Sequence, residues 1–451
     1  MLHQKRRIAD KEDDEGLDGS ATKKPRGDKA EVALWEECLP EELLCVILAA
    51  LDPLFVGIAA RTCRTWYSCA PEQLRNLEEN GCPLDKKMAA LISKCGSLEA
   101  LKWARLEKGC PWDIEACSSA AGNGHLEVLQ WARENGCPWG AQTCQQAARH
   151  GQLEVLKWAR ENGCPWDEAT CCSAAFGGHL ELLQWAHDSG CPWDERTCSW
   201  AAWKGNLNVL KWASENGCPW DETTCSSAAS KGHLEVLQWA REKGCPWDES
   251  TCAHVAEEGH LEVLKWVRRN GCPWDDDTCT AAAERGHLKV LKWARANGCP
   301  WNEDTCNMAA EYGHLEVLKW AKENGCPWNK QTCHHAARNG HLEVLKWVRE
   351  HRCPWSAKTC ALAAEYGHLE VLKWARANGC PWNEKTCYSA ASTGQLEVLK
   401  WARANGCPWN QLTWGMAAMY GHAEVLQWAK ENGCLSFTRA EENGVSDSDL
   451  H

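Results

Sequence analysis

The tripeptide Cys-Pro-Trp occurs twelve times, from Cys110-Pro111-Trp112 to Cys407-Pro408-Trp409, and successive copies stand 27 residues apart. A fixed period held over so long a stretch is the signature of a stacked repeat array. In such an array each unit touches only its neighbours, so the chain folds into an extended surface rather than around one closed cleft. A length of 451 residues would otherwise predict roughly three ordinary domains. The repeat overrides that count, because a solenoid grows without dividing into separate cores.

Each unit carries its own punctuation. After Cys-Pro-Trp the units read Asp113, Gly140, Asp167, Asp194, Asp221, Asp248, Asp275, Asn302, Asn329, Ser356, Asn383 and Asn410. All are favoured helix N-caps, whose side-chain oxygen (glycine apart) accepts from unpaired backbone N–H groups. In the unit from Cys164 to Gly190, Trp166 at N′ and Cys171 at N4 have the spacing of a hydrophobic staple. Cys171, Ala174 and Ala175 then form a narrow helical stripe, and Gly178 supplies a left-handed stop. A second helix follows, with Leu180, Leu183 and Ala186 on one face and Leu182 and Trp185 widening it. Neither helix buries its face alone, so stacking has to supply the core. The unit from Cys82 to Gly109 is irregular: it reads Cys-Pro-Leu and carries one extra residue near Leu106. Terminal repeats are expected to be atypical, and the last unit has Trp414 where the others have cysteine.

Segments such as Ala309-Ala310-Glu311-Tyr312-Gly313-His314-Leu315-Glu316-Val317-Leu318-Lys319 resemble the central part of an ankyrin repeat. The resemblance covers residues 82–434. It departs from the family in period, six residues short of the usual ~33. It departs also in its start, which is Thr-Cys (Thr305-Cys306) in place of Thr-Pro-Leu-His. The missing residues fall where ankyrins build a β-hairpin finger, so the finger is expected to shrink to a tight loop.

Residues 34–77 have another texture and no Cys-Pro-Trp. Leu39-Pro40 opens a helix carrying Leu43, Leu44, Ile47 and Leu51. Asp52-Pro53 breaks it. A second apolar helix carries Val56, Ala59, Ala60 and Cys63, and Trp66 follows. The Leu-Pro start, the Leu-Asp-Pro break and the Cys-Arg-x-Trp finish resemble an F-box. That resemblance implies docking onto a Skp-type adaptor of a cullin ubiquitin ligase. Leu39, Pro40, Leu43, Leu44, Ile47, Leu51, Pro53, Val56 and Trp66 would make the contact. The competing reading is a helical cap for the array. The fold class expected is therefore all-α: an N-terminal three-helix F-box-like unit, then an α-solenoid of about 13 ankyrin-like helix-turn-helix repeats lacking most of the β-hairpin finger.

Composition excludes several classes of function. The formal net charge is -13, which argues against a nucleic-acid partner, since such proteins show a basic stripe. No apolar run approaches the roughly 18 residues that span a bilayer, so no membrane partner is expected. Residues 1–30 are charge-rich and read as a disordered tail, with Lys5-Arg6-Arg7 and Lys23-Lys24-Pro25-Arg26 forming either a nuclear signal or a solvated tail. Residues 435–451 read as a second disordered tail. The stretch from Met1 to Arg26 lacks the apolar core of a secretory signal. The expected compartment is cytoplasmic, nuclear or both, where the 31 cysteines stay reduced. Equivalent cysteines of stacked helices lie roughly 8–10 Å apart, beyond the ~7 Å that a disulfide spans.

Cys299, Cys306 and His314 show a Cys-x6-Cys and histidine pattern that raises zinc. The spacing is wrong for a zinc finger, and the histidine is Gln152, Asn206 or Gln395 elsewhere, so packing is the expected role and no metal or other cofactor is expected. No nucleophile–base set, phosphate loop or paired-carboxylate arrangement stands outside the repeat register, so enzymatic activity is not expected. Second-helix tryptophans such as Trp158 and Trp320 are expected to be buried against the next unit, and loop tryptophans such as Trp301 to be partly exposed.

The positions that vary between units mark where a partner would bind. Aromatic, Met and His side chains there are types that anchor interfaces. Trp200, Trp203, His254, Met308, Tyr312, His334, His335, Leu362, Tyr366 and Tyr388 are the candidate target-binding residues, on a first-helix face richest in 191–217 and 299–407. The expected function is substrate recognition in a Skp–cullin–F-box ligase, with an unknown protein target on the repeats. The alternative is an ankyrin-type interaction scaffold without a ligase role.

Overall fold

In a computed structural model the described residues are 85–434. The tail 1–30, the 34–77 unit with its adaptor-binding set from Leu39 to Trp66, and the tail 435–451 lie outside them. The described residues hold thirteen helix pairs and no strand. The fold is thus an all-helical repeat solenoid, and the hairpin finger is replaced by the extended Cys-Pro-Trp loop. Two compact units divide the chain, one ending at Pro111 and the other beginning at Trp112.

In the first unit, a helix over Lys86–Cys95 is followed by a helix over Leu98–Lys102 that runs into a π-helical turn over Trp103–Glu107. That turn absorbs the extra residue noted near Leu106. A π turn takes in one residue more than an α turn. The Cys110 N–H accordingly reaches back six residues, to the Ala104 carbonyl, where the regular Cys137 reaches five, to Ala132.

The second unit is twelve regular pairs, from Ile114–Gly122 to Ala423–Glu431. Their first helices start as the sequence predicts. Asp113, Asp194, Asp221, Asp275, Asn302, Asn329, Ser356, Asn383 and Asn410 each accept the backbone N–H two residues on. Both helices end alike. In the unit from Cys110, Gly124 and Gly136 are left-handed, and the residues after them, His125 and Cys137, donate five residues back. This is a Schellman motif at each end. It fixes the spacing of every helix stop.

The core is a column of small and medium residues. Cys171, Ala174 and Ala175 of a first helix are fully buried, with Leu183 and Ala186 of the second. Leu180 is half-buried, so the second helix presents Leu182, Leu183 and Ala186 rather than the wider face expected. Trp158 and Trp320 also depart from expectation. Each is half-buried and packs edge-on against the loop tryptophan of its own unit, Trp139 at 5.8 Å and Trp301 at 5.9 Å. The reason is helical phase. Val155, Leu156 and Ala159 centre the buried stripe, and Trp158 lies roughly 110° around the helix from that centre. The Glu316 and Lys319 side chains form the expected surface pair at 2.7 Å.

The cysteines pair across units. The loop thiols donate to the N-cap carbonyl of the preceding unit, as Cys137 does to Asp113 at 3.4 Å. The helix cysteine of one unit sits against the loop cysteine of the next, as Cys117 does against Cys137. That contact, followed by burial, pushes the Cys117 thiol up. All described cysteines are free thiols, and all but Cys95 are buried.

Candidate interaction surface

The histidine that opens the second helix does not turn towards the cysteines. Its Nε2 reaches the carbonyl near the end of the preceding unit's first helix: His314 to Glu284 at 2.9 Å, His341 to Glu311 at 2.9 Å, His368 to Arg338 at 2.9 Å. These carbonyls are among those a helix end leaves unpaired. Asn206 does the same work, donating to the Ala175 carbonyl at 2.9 Å. Asparagine therefore stands in for histidine here, whereas Gln152 at the same register donates to the His150 carbonyl instead. Histidine here joins units and is spatially apart from the thiol pairs, so the Cys and His of the repeat do not converge.

The ten candidate target-binding residues separate into groups. The residue directly after the first-helix cysteine faces the next unit. His334 is buried, with Nδ1 at 2.6 Å from Gln331 Oε1 and Nε2 at 3.0 Å from Ser356 Oγ. It is therefore an inter-unit polar contact rather than a docking residue. Asn307, one unit earlier, is buried likewise and accepts from Thr332 Oγ1 at 2.8 Å. Tyr388 stands at the same register and is half-buried. One residue further along, the helix turns outward. Trp200 and His254 are exposed, while Met308, His335 and Leu362 are half-buried. His335 Nδ1 lies 2.8 Å from Glu311 Oε2.

Burial, then the charges of Lys358, Lys330 and His335, push the His334 imidazole down to about 4. The unfolded chain takes that proton near pH 6.5. The folded state binds it only below about 4, so stability is lost as pH falls from ~6.5 towards 4, by about 2 kcal/mol at pH 5. Hydrogen exchange across residues 326–365 should show this loss between pH 7 and pH 5. It should be absent in His334→Gln, which keeps a donor and acceptor but cannot charge.

At the ends of the first helices, residues 27 or 28 apart form a lateral ladder. Arg149 lies 4.2 Å over the Phe176 ring, and Phe176 stacks on Trp203 at 5.6 Å. Trp200 closes the group edge-on, 5.4 Å from Phe176 and 5.8 Å from Trp203. Lys204 stands 4.4 Å over Phe176, and Lys231 5.3 Å over Trp203. Beyond them Lys231 pairs with Glu258 at 2.6 Å and Arg285 with Glu257 at 2.7 Å. The Glu284 carboxylate then holds the exposed Tyr312 phenol above its usual range. Arg338 lies 5.0 Å over Tyr366. The structure thus gathers Trp200 and Trp203 into one cluster and leaves Tyr312 and Tyr366 as separate exposed rings. Phe176 belongs at the cluster's centre. The sequence shows it as a departure from the repeat, but only the stacking of unit on unit shows which aromatics meet.

No helix among the described residues is long and apolar enough to cross a membrane. A family model for ankyrin repeats matches residues 306–349 and 360–403. Among solved structures, the ankyrin repeat domain of human ASB11 is 17% identical, with 35% of this chain and 84% of that one covered and a TM-score of 0.30. The pentatricopeptide repeat protein PPR10 in complex with an 18-nt psaJ RNA element is 14% identical, with 87% of this chain and 74% of that one covered and a TM-score of 0.35. No curated protein matches the chain by sequence. The exclusion of nucleic acid from the expected partners is withdrawn, because one of these matches is a repeat protein in complex with RNA; a likeness at a TM-score of 0.35 assigns no partner to this chain. The exclusion rested on a net charge taken over the whole chain, which does not describe any one face.

Proposed function

We propose that this ankyrin-type array is a protein-interaction scaffold whose docking surface centres on Phe176, Trp200 and Trp203. One observation carries the proposal. Three aromatic rings meet on the first-helix face, at positions the fold does not need filled by aromatics. One unit later the register places Ser227 and Ser230 where Trp200 and Trp203 stand. A packed aromatic group rimmed by cations, with Trp200 exposed by 40%, has the composition of an interface anchor. The scaffold reading is favoured over a ligase role, because the features that support it lie in the repeats. The ligase reading rests wholly on residues 34–77.

The test is site-specific photocrosslinking in cells, with a photoreactive phenylalanine analogue in the full chain at position 200 or at the exposed position 243. Position 200 should give discrete crosslinked protein bands that disappear when Trp203 is changed to Ser. Equal patterns from both positions, or bands indifferent to Trp203→Ser, would overturn the proposal.

A further inference from the structure

The loop tryptophans carry a second pattern, on the other helix of each unit. Ten of the eleven from Trp139 to Trp409 have a polar group stacked on the ring, supplied by the preceding second helix. In eight it is arginine: Arg133, Arg160, Arg241, Arg268, Arg295, Arg349, Arg376 and Arg403, at 3.9 to 4.5 Å from the ring centre. Lys322 covers Trp328 at 4.2 Å, and His187 stacks on Trp193 at 4.0 Å. Each of the eight arginines also donates to the carbonyl of the next loop cysteine, as Arg133 does to Cys137 at 2.6 Å. The array has therefore built one guanidinium site many times over: a tryptophan face and a carbonyl acceptor, with a glutamate next along the helix in four of the eight, Glu134, Glu161, Glu242 and Glu350. Around Arg133 it opens into a pocket of about 430 Å³ lined also by Glu134, Trp139 and Trp158.

Trp220 is the exception. The residue in the arginine's register is Ser214. Among the described residues no cation covers the Trp220 ring and no side chain donates to the Cys218 carbonyl. The rest of the site is kept. Trp239 packs edge-on to Trp220 at 5.9 Å, and Glu215 holds the register of Glu134. Lys211 flanks the site as Lys157 flanks Arg160 on its helix, so a lysine there is compatible with a guanidinium on the ring. We propose that the Trp220 face and the Cys218 carbonyl bind the guanidinium of an arginine side chain brought by a partner protein, completing in trans the contact the other units make in cis. The charge and planarity of the group are fixed by the eight internal copies. This site stands whether or not the Trp200 cluster docks a partner.

The experiment uses the full chain labelled with 5-fluorotryptophan, titrated with N-acetylarginine methylamide and, separately, with its neutral citrulline counterpart. Fluorine NMR should show one resonance that shifts with arginine, identified as Trp220 by its loss in Trp220→Phe. Citrulline should bind about tenfold more weakly or not at all. Ser214→Arg should silence the response, because it fills the site from within. Arg241→Ser should add a second responding resonance, from Trp247. The proposal is overturned if arginine shifts no resonance in the native chain, if citrulline matches it, or if Ser214→Arg responds as the native chain does.

Discussion

Gly313→Val destabilises its part of the array by about 3–6 kcal/mol, from left-handed strain of ~1–2, overpacking of ~1–3 and a lost hydrogen bond of ~1. Gly313 sits at φ 78, and a Cβ there would lie 2.8 Å from the His341 ring. His341 is held in place by the Glu311 carbonyl, so the ring yields only by giving up that bond. Gly325 ends the second helix of the same unit in the same left-handed conformation, φ 85, and a Cβ there meets nothing within 4 Å. Gly325→Ala therefore pays only the backbone strain, about 1–2 kcal/mol. Gly313→Ala costs more than Gly325→Ala, and adding His341→Ala to the pair narrows the difference. Urea unfolding of the four variants reads this directly. Equal losses at the two glycines would show that the histidine contact does not couple the units.

Leu264→Ala carries the second large effect. Leu264 is fully buried, one of a column of leucines that recurs at every 27th residue. Truncation leaves a cavity lined by close-packed neighbours and costs about 2–5 kcal/mol. Leu261, three residues earlier on the same helix, is half-buried, and its truncation costs roughly half as much or less. The array is coupled only between neighbours, so the damage spreads locally. Hydrogen exchange should quicken in residues 245–299 and leave 380–434 unchanged. Uniform quickening over both stretches would mean that the array unfolds as one block.

What the sequence made legible was local. Period, caps and stops each depend on residues within one unit, and the structure places them where the spacing predicts. What it hid depends on residues a unit apart. Cys117 and Cys137 are 20 residues apart in the chain and meet because one closes a helix face and the other opens the next loop. His314 reads as a ligand beside two cysteines until its partner is seen to be a carbonyl 30 residues back. His334 and His335 look alike as departures from the repeat. One residue is ~100° of helix, enough to bury the first against the following unit and leave the second half-buried beside Glu311 of the preceding one. The aromatic cluster was half visible: Trp200 and Trp203 were marked by their variation, but their meeting with Phe176 follows from a 27-residue step that the chain alone does not draw sideways.

The claim that departures from the frame, and not the frame itself, hold a partner is tested most directly by affinity. Trp200→Ser and Trp203→Ser install residues that the fold already accepts at Ser227 and Ser230. The partner captured at position 200 is purified, and its binding to the native full chain and to this double variant is compared by calorimetry. A loss of at least about tenfold, some 1.4 kcal/mol, with unchanged helical content is the result predicted. Unchanged affinity in a folded variant would contradict the account.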